Sequence, residues 1–268
     1  MQALGRGPFR RGESGRNLPE NVEAGRGVCY NQKDNYREER GGEATVQVED
    51  FEILETKERV LADNDAAART VREKTSRAGV FFVNLMAGPG AGKTSTLLRI
   101  IEGLGGELRI GVMEADADGD TDARTIAGTG TRAIQLHTGG LCHMDADMTL
   151  RGMEGLGLEG LDLLFLENVG NLVCPAEFEV GADLRLMILS VPEGDDKPLK
   201  YPLMFRISDC LLVNKMDTAP AFDFDLEALK QRAWALNPRL AVFPVSARTG
   251  EGFPAFLDWL RARKEEKA

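Results

Sequence analysis

The chain has 268 residues, a hydrophobic content of 43% and a formal net charge of −10. This length accommodates one large α/β domain with appendages, and the negative charge argues against nucleic acid as a partner. No apolar run reaches the roughly 18–20 residues that span a bilayer, and the N-terminus lacks the apolar segment of a secretory signal. We therefore expect a cytoplasmic protein with no membrane partner.

The beginning of the chain divides into two predicted segments. Residues 1–45 are rich in glycine and charge and poor in aliphatic residues, a composition that predicts a disordered tail. In residues 46–79, apolar residues recur at three- and four-residue spacings, which predicts a helical segment. Asn64-Asp65 is the point where this helix could break, and Gly79 is its expected end.

The next feature is an apolar run, residues 80–86, followed directly by the segment Ala87–Thr94. A glycine-rich turn ending in Lys-Thr between a strand and an amphipathic helix is typical of a phosphate-binding loop, whose N–H groups surround a phosphate. Ala87 stands where the strict pattern has glycine, and its small side chain still permits the turn. The residues expected to hold the phosphates are Gly88, Pro89, Gly90, Ala91, Gly92, Lys93, Thr94 and Ser95.

From the loop onward, apolar runs alternate with helical patterns. The predicted strands are 108–114, 132–137, 161–167, 184–191, 210–214 and 240–245, and the predicted helices are 94–102, 121–127, 145–153, 201–205, 226–236 and 254–264. Near-continuous apolar strands separated by crossover helices predict a doubly wound, mostly parallel α/β sheet with helices on both faces. Residues 80–268 are thus predicted to form one P-loop nucleoside triphosphatase domain.

The base is indicated by Asn214-Lys215-Met216-Asp217, which follows a predicted strand, and by Ser246-Ala247 after a later strand. The Asp217 carboxylate can accept two hydrogen bonds from guanine, whereas adenine offers no such pair of donors on that edge. Lys215 can lie over the base, and Asn214 can tie the loops together. The sequence therefore predicts a GTPase.

Phosphoryl transfer by a GTPase requires positioning and charge neutralisation. We expect Lys93 to hold the phosphates and Thr94 to ligate Mg²⁺. Asp116 is the candidate for a second Mg²⁺ ligand, with Asp122 a distant second, and Glu167 is placed where many GTPases carry the acid of Asp-x-x-Gly. No arginine finger or catalytic glutamine is evident, so slow intrinsic hydrolysis is expected.

A second set of residues suits a softer metal. Cys142-His143 follows one predicted strand, and Cys174-Pro175 lies shortly after Glu167. Thiolate and imidazole are ligands for Zn²⁺ or Ni²⁺, but cysteine is also common as a small buried hydrophobe. The spacing alone leaves both interpretations open. Cys210, inside an apolar strand, is expected in the core, and His137 is expected to be structural.

Three segments, 141–146, 167–175 and 193–202, resemble the hydrogenase nickel-incorporation GTPases, the HypB family, and the similarity covers about residues 81–260. The resemblance implies a GTPase metallochaperone that dimerises on binding GTP and delivers Ni²⁺ to the large subunit of [NiFe]-hydrogenase, together with another maturation accessory protein. It also implies a metal site that takes Ni²⁺ or Zn²⁺ at the dimer interface, with Cys142, His143 and Cys174 as its ligands.

The chain departs from this family at its N-terminus. Many members carry an N-terminal Cys-x-x-Cys-Gly-Cys site or a histidine-rich stretch, whereas this chain has only Cys29 in its tail and only two histidines, His137 and His143. The metal function is therefore expected to depend on the GTPase domain. The alternatives are a GTP-regulated scaffold for another metalloenzyme, such as urease, and a small-molecule kinase, which the guanine motif counts against.

Overall fold

The computed structural model describes residues 56–116 and 119–267. The predicted disordered tail and the first ten residues of the predicted helical segment lie outside this range. Helix α1 (Thr56–Ala78) runs without a break through Asn64 and Asp65. It ends before Gly79, whose φ of 67° lies in the left-handed region, where glycine is the favoured residue.

The described part of the chain forms a seven-stranded sheet in the order β3-β2-β4-β1-β5-β6-β7. All six neighbouring pairs are parallel, so the predicted fold class is confirmed. The strands are β1 (Phe81–Ala87), β2 (Ile110–Asp116), β3 (Arg132–His137), β4 (Leu163–Glu167), β5 (Leu184–Ser190), β6 (Cys210–Asn214) and β7 (Ala241–Pro244). The helices after α1 are α2 (Lys93–Leu104), α3 (Thr121–Ala127), α4 (Ala146–Leu156), α5 (Cys174–Glu177), α6 (Lys197–Lys200), α7 (Pro202–Ile207), α8 (Leu226–Leu236) and α9 (Phe253–Lys267).

Apolar side chains cover both faces of the sheet. On β1, Val83 and Leu85 pack in a cluster with residues of α2 and α9. Phe82 points the other way and packs with α1 and α4. Met86, also on that second face, packs with α7 and α8. Because successive side chains of a strand alternate between faces, the central strand is buried along its whole length.

Several elements differ from the sequence prediction by a few residues, and strand β2 shows one physical reason. Strand β2 was expected over 108–114 but begins at Ile110 and ends at Asp116. Arg109 precedes the strand, and its backbone N–H and guanidinium both donate to the Asp162 side chain, so this N–H does not join the backbone pairing of the sheet. The four-residue helix α5 was not predicted, since it is too short to show a helical period.

The parallel arrangement places the C-terminal ends of the strands on one edge, where ligands bind in open α/β sheets. The phosphate loop follows β1, the segment from residue 168 follows β4, and the Asn214–Asp217 segment begins at the end of β6. No helix among the described residues combines the length and apolar character needed to cross a bilayer.

Candidate functional site: a nucleotide cradle beside a thiol–imidazole cluster

The phosphate loop depends on two glycines with left-handed backbone. Gly90 has a φ of 72° and Gly92, at the start of α2, a φ of 98°. A Cβ on Gly92 would also lie 2.5 Å from Asn214 Nδ2, so both conformation and space require glycine there. Ala87, where the strict pattern has glycine, is the fully buried last residue of β1 and needs no such freedom.

Asn214 joins three loops around this cradle. Its Nδ2 donates to the carbonyl of Ala91 at 2.9 Å, and its Oδ1 accepts the N–H groups of Lys215 at 2.8 Å and Ala247 at 3.0 Å. The side chain is 1% exposed. A buried amide with its partners satisfied holds its neighbours in one arrangement, so the phosphate loop and the two base-reading segments form one unit.

Lys215 and Asp217, the residues predicted to read the base, flank this unit. Lys215 is the one described non-glycine residue with a positive φ, 63°, and its Nζ donates to the carbonyl of Gly90 at 2.7 Å. Asp217 accepts a hydrogen bond from Ser246 Oγ at 2.6 Å and pairs with Arg248 Nε at 3.0 Å. The Ser246 hydroxyl and the Arg248 guanidinium hold the pKa of Asp217 below its usual value. The carboxylate is therefore ionised at neutral pH and able to accept hydrogen bonds.

At the first turn of α2, Lys93 and Thr94 face an acid on the neighbouring strand. Thr94 Oγ1 donates to Glu167 Oε1 at 3.3 Å, and Lys93 Nζ lies 3.8 Å from the same oxygen. Glu167 is 1% exposed. Ser95, the next residue of the predicted loop, is exposed.

Two further acids complete a carboxylate group around Glu167. Oxygen atoms of Glu114, Asp122 and Glu167 lie within 4.8 Å of one another. Among the described residues, the Oε2 atoms of Glu114 and Glu167 are buried without a hydrogen-bond partner. Burial raises the pKa of both glutamates, and the charge of Glu167 raises that of Glu114 further. Orphaned oxygens of this kind fit a divalent cation, which takes oxygen ligands.

This carboxylate group includes Asp122, which the sequence analysis ranked low, and Glu114, which it did not consider. Asp116, the sequence candidate, is not a member; its Oδ1 accepts the N–H of Gly119 at 2.8 Å. The register explains the difference, because Glu114 lies directly beside Glu167 whereas Asp116 pairs with His137 on the outer strand. The missed signal was an acid inside an otherwise apolar strand.

Gly170 brings the segment after β4 against the phosphate loop. A Cβ on this residue would lie 3.2 Å from Pro89 Cα and 3.4 Å from Lys93 Nζ. Glycine thus permits a close approach of backbone to the place where the terminal phosphate of a bound nucleotide would lie.

The same segment continues into the second cluster. Cys142 Sγ lies 2.9 Å from Cys174 Sγ and 3.8 Å from His143 Nδ1, and ligand atoms of all three residues lie within 4.8 Å of one another. Cys142 is exposed and Cys174 is half-buried. Cys210 is fully buried in the core, and His137 is not a member of this cluster.

The electrostatics of the cluster suit a metal ligand set. The hydrogen bond with Cys142, together with burial, raises the pKa of the Cys174 thiol. A bound cation would offset this effect, because it favours the thiolate form of both cysteines. Burial lowers the pKa of His143, whose ring stacks on Phe178 with centroids 3.9 Å apart. A neutral imidazole and two thiolates can hold Ni²⁺ or Zn²⁺ and leave a position open for exchange.

Comparisons with known proteins identify a family of nucleotide-binding proteins. Residues 82–244 match the family described as CobW/HypB/UreG, nucleotide-binding domain. The hydrogenase maturation factor HypB of Rhizobium leguminosarum bv. viciae is 46% identical over 81% of this chain and 72% of the relative.

Two solved structures are also similar. The HypB of Helicobacter pylori in complex with nickel aligns with a TM-score of 0.73 and 35% identity, covering 76% of this chain and 96% of the other. The hydrogenase maturation factor HypB of Archaeoglobus fulgidus aligns with a TM-score of 0.72 and 37% identity, covering 76% and 100%.

Proposed function

The chain belongs to the CobW/HypB/UreG family of nucleotide-binding proteins and, within it, to the HypB hydrogenase maturation factors, and from that premise we propose that it is a GTP-hydrolysing metallochaperone for nickel. In this proposal it binds Ni²⁺, and also Zn²⁺, in its GTPase domain. It assists insertion of nickel into the large subunit of [NiFe]-hydrogenase.

The assignment of guanine depends on the Asp217 carboxylate. Its ionised state and its position beside Ser246 suit an acceptor for the ring N–H and the exocyclic amine of the base. A nucleotide would displace Arg248 from one of the two carboxylate oxygens. Discrimination by buried polar groups of this type is strong, because a base that lacks the donors leaves the carboxylate unpaired.

The phosphates would be held by the loop N–H groups and by Lys93. Thr94, Glu167, Asp122 and Glu114 are the oxygen donors that fit Mg²⁺, which when bound supplies charge neutralisation for phosphoryl transfer. Asp116, the candidate from the sequence, lies outside this carboxylate group and stays a prediction.

The observation that carries the metal assignment is the cluster Cys142, His143 and Cys174. Two loops, 32 residues apart in the sequence, bring three soft ligands together at the surface. The solved relative from Helicobacter pylori is a nickel complex. Nickel is the cargo of such a protein, and an exposed, three-ligand site is suited to loading and release.

A partner surface is supported by the apolar residues beside the ligands. Leu141 is 50% exposed and Val173 is 51% exposed, and each directly precedes a metal-ligating cysteine. Burial of apolar surface drives association, so this rim suits contact with a second copy of the chain in the GTP state. The accessory protein and the hydrogenase large subunit are the further partners that we propose.

The test measures nickel stoichiometry by equilibrium dialysis of the whole protein. Cys142→Ala and Cys174→Ala should each lose most of the bound Ni²⁺ and Zn²⁺ while keeping GTP hydrolysis within about twofold, because neither thiol touches the phosphate loop. Cys210→Ala is the matched control, since it removes a buried thiol far from the cluster and should leave stoichiometry unchanged. Full nickel binding by both ligand variants would place the metal site elsewhere and overturn the assignment.

A further inference from the structure

Two buried asparagines lie between the nucleotide cradle and the metal cluster, and neither ligand requires them. Asn84 lies on β1, three residues before Ala87, the last residue of that strand, and is 3% exposed. Asn168 directly follows β4 and is 0% exposed. Buried amides are costly unless paired, so their partners define what they do.

Asn168 contacts three different parts of the protein. Its Nδ2 donates to Asn84 Oδ1 at 3.2 Å. Its Oδ1 accepts the N–H of Val169 at 2.9 Å and the N–H of Met144 at 3.1 Å. Met144 is the residue after His143, so one carboxamide joins the strand that enters the phosphate loop to the backbone beside a metal ligand.

The second end of this connection is the contact between Gly170 and the phosphate loop. Gly170 is two residues from Asn168 and packs against Pro89 and Lys93. A displacement of Gly170 by a terminal phosphate therefore moves Val169, whose N–H is bonded to Asn168 Oδ1. The N–H of Met144 is bonded to the same oxygen, and Met144 is 1% exposed, so its N–H has no water to replace that acceptor.

We propose that Asn168 is a positioning residue that couples the nucleotide state to the geometry of the metal cluster. The inference rests on the proposed function, since it needs both ligands to bind. It adds that the coupling passes through a single carboxamide. Asn171 Nδ2, which donates to the carbonyl of Cys142 at 3.3 Å, is exposed and secondary because water can replace it.

The experiment is a Ni²⁺ titration of the whole protein with GDP and with a non-hydrolysable GTP analogue. Coupled sites typically change each other's affinity by about 5- to 150-fold. In the Asn168→Ala variant the ratio of the two nickel affinities should fall toward one. A residue with a merely structural role would lower both affinities and leave their ratio unchanged.

Asn64→Ala is the matched control. Asn64 is also a buried asparagine, and its Oδ1 accepts the N–H of Ala146 at 2.9 Å, two residues beyond Met144. Its other bond goes to the carbonyl of Glu179, so it anchors the same segment from α1 with no link to the phosphate loop. This variant should keep the wild-type ratio.

A second variant and a second measurement decide the case if Asn168→Ala does not fold. Asn84→Ala removes the hydrogen bond that orients the Asn168 carboxamide, so the ratio of the two nickel affinities should again move toward one. In the wild type, hydrogen exchange of the Met144 amide should differ between GDP and the GTP analogue.

Two outcomes overturn the inference without touching the proposed function. One is a wild-type protein that binds nickel and GTP with a nickel affinity ratio of one. The other is a folded Asn168→Ala protein, or a folded Asn84→Ala protein where Asn168→Ala does not fold, that keeps the wild-type ratio. A wild-type protein that binds no nickel or no GTP would instead refute the proposed function itself.

Discussion

The nucleotide cradle and the metal cluster lie at the same edge of the sheet, yet they are built differently. The cradle is formed by glycines with fixed backbone conformation and by buried polar side chains such as Asn214 and Glu167. The metal cluster is formed by two surface loops, and Cys142 is exposed. In the proposed function, the cradle is organised before its ligand arrives, whereas the cysteine–histidine cluster would hold its ligand at the surface.

The contrast matches the different requirements of the two proposed ligands, a nucleotide and a cargo metal. A buried cradle with a fixed backbone would hold a nucleotide in one geometry, as phosphoryl transfer needs. A cargo metal has to be received and passed on, which an exposed site permits. The following variants test whether the two regions are separable in this way.

The largest effect is expected from Lys93→Ala. Loss of the cation that faces the phosphates should reduce GTP hydrolysis by at least about 100-fold, the cost of removing one electrostatic stabiliser of a transition state. Nickel stoichiometry should stay at the wild-type value, because Lys93 does not contact the thiols. The measurement is single-turnover phosphate release together with equilibrium dialysis.

Lys230→Ala is the control for that variant, since Lys230 pairs with Glu227 on the surface of α8 and should keep wild-type hydrolysis. Retained turnover in Lys93→Ala would remove the phosphate loop from the mechanism. A parallel loss of nickel would mean that the two regions are not separable.

A smaller effect is expected from Asp217→Asn. A charge-assisted hydrogen bond contributes about 1.5–3 kcal/mol, so GTP affinity should fall about 10- to 100-fold. XTP affinity should rise, because xanthine presents a carbonyl where guanine presents an amine. Competition binding with both nucleotides measures the change.

Arg248→Ala is the matched variant for this comparison. It removes the ion pair with Asp217 and leaves the carboxylate in place, so the preference for GTP should persist. An Asp217→Asn protein that still prefers GTP to the wild-type extent would contradict the base-reading role.

The smallest effect is expected at the opposite edge of the sheet, from Asp162→Asn. The hydrogen bonds from Arg109 hold the pKa of Asp162 below its usual range. A depressed carboxyl pKa contributes stability above the unfolded value, near pH 4, and that contribution is lost as the pH falls. The variant should therefore melt at a slightly lower temperature at pH 7, with the difference shrinking below about pH 4.

Calorimetry at several pH values tests this, with Asp258→Asn, which removes only an exposed pair with Arg261, as the control. Nickel binding and hydrolysis should be unchanged in Asp162→Asn at 25 °C. A change in nickel binding or in hydrolysis would show that the cradle and the metal cluster depend on the stability of the whole domain.

The sequence predicted the cradle more fully than the cluster for a physical reason. Left-handed turns and buried strands restrict which residues can occur, so Gly90, Gly92 and the apolar runs are visible as a pattern. The ligands Cys142 and Cys174 impose no such periodicity, and only the resemblance to a family selected them. Their distance of 2.9 Å results from the sheet, which brings together loops that follow different strands.

The acidic residues show a second limit of prediction from the sequence. Asp116 was chosen because it ends an apolar strand, whereas Glu114, which lies in register with Glu167, was not considered. Register depends on pairing across strands that are distant in sequence. Asn84 and Asn168 were missed for the same reason, since nothing near either residue in the sequence reveals its partner.

The complete burial of β1, including Ala87 at its end, has one further consequence. The phosphate loop emerges from a strand that is packed on both faces, so displacing the loop would open a cavity in the core, at a cost of several kcal/mol. The other side of the nucleotide cradle, residues 168–173, is held less completely, because Leu172 packs in the core whereas Val173 is half-exposed. Under the proposed function, the strand side of the cradle would stay in place during nucleotide exchange, and movement would fall to the side that leads to Cys174.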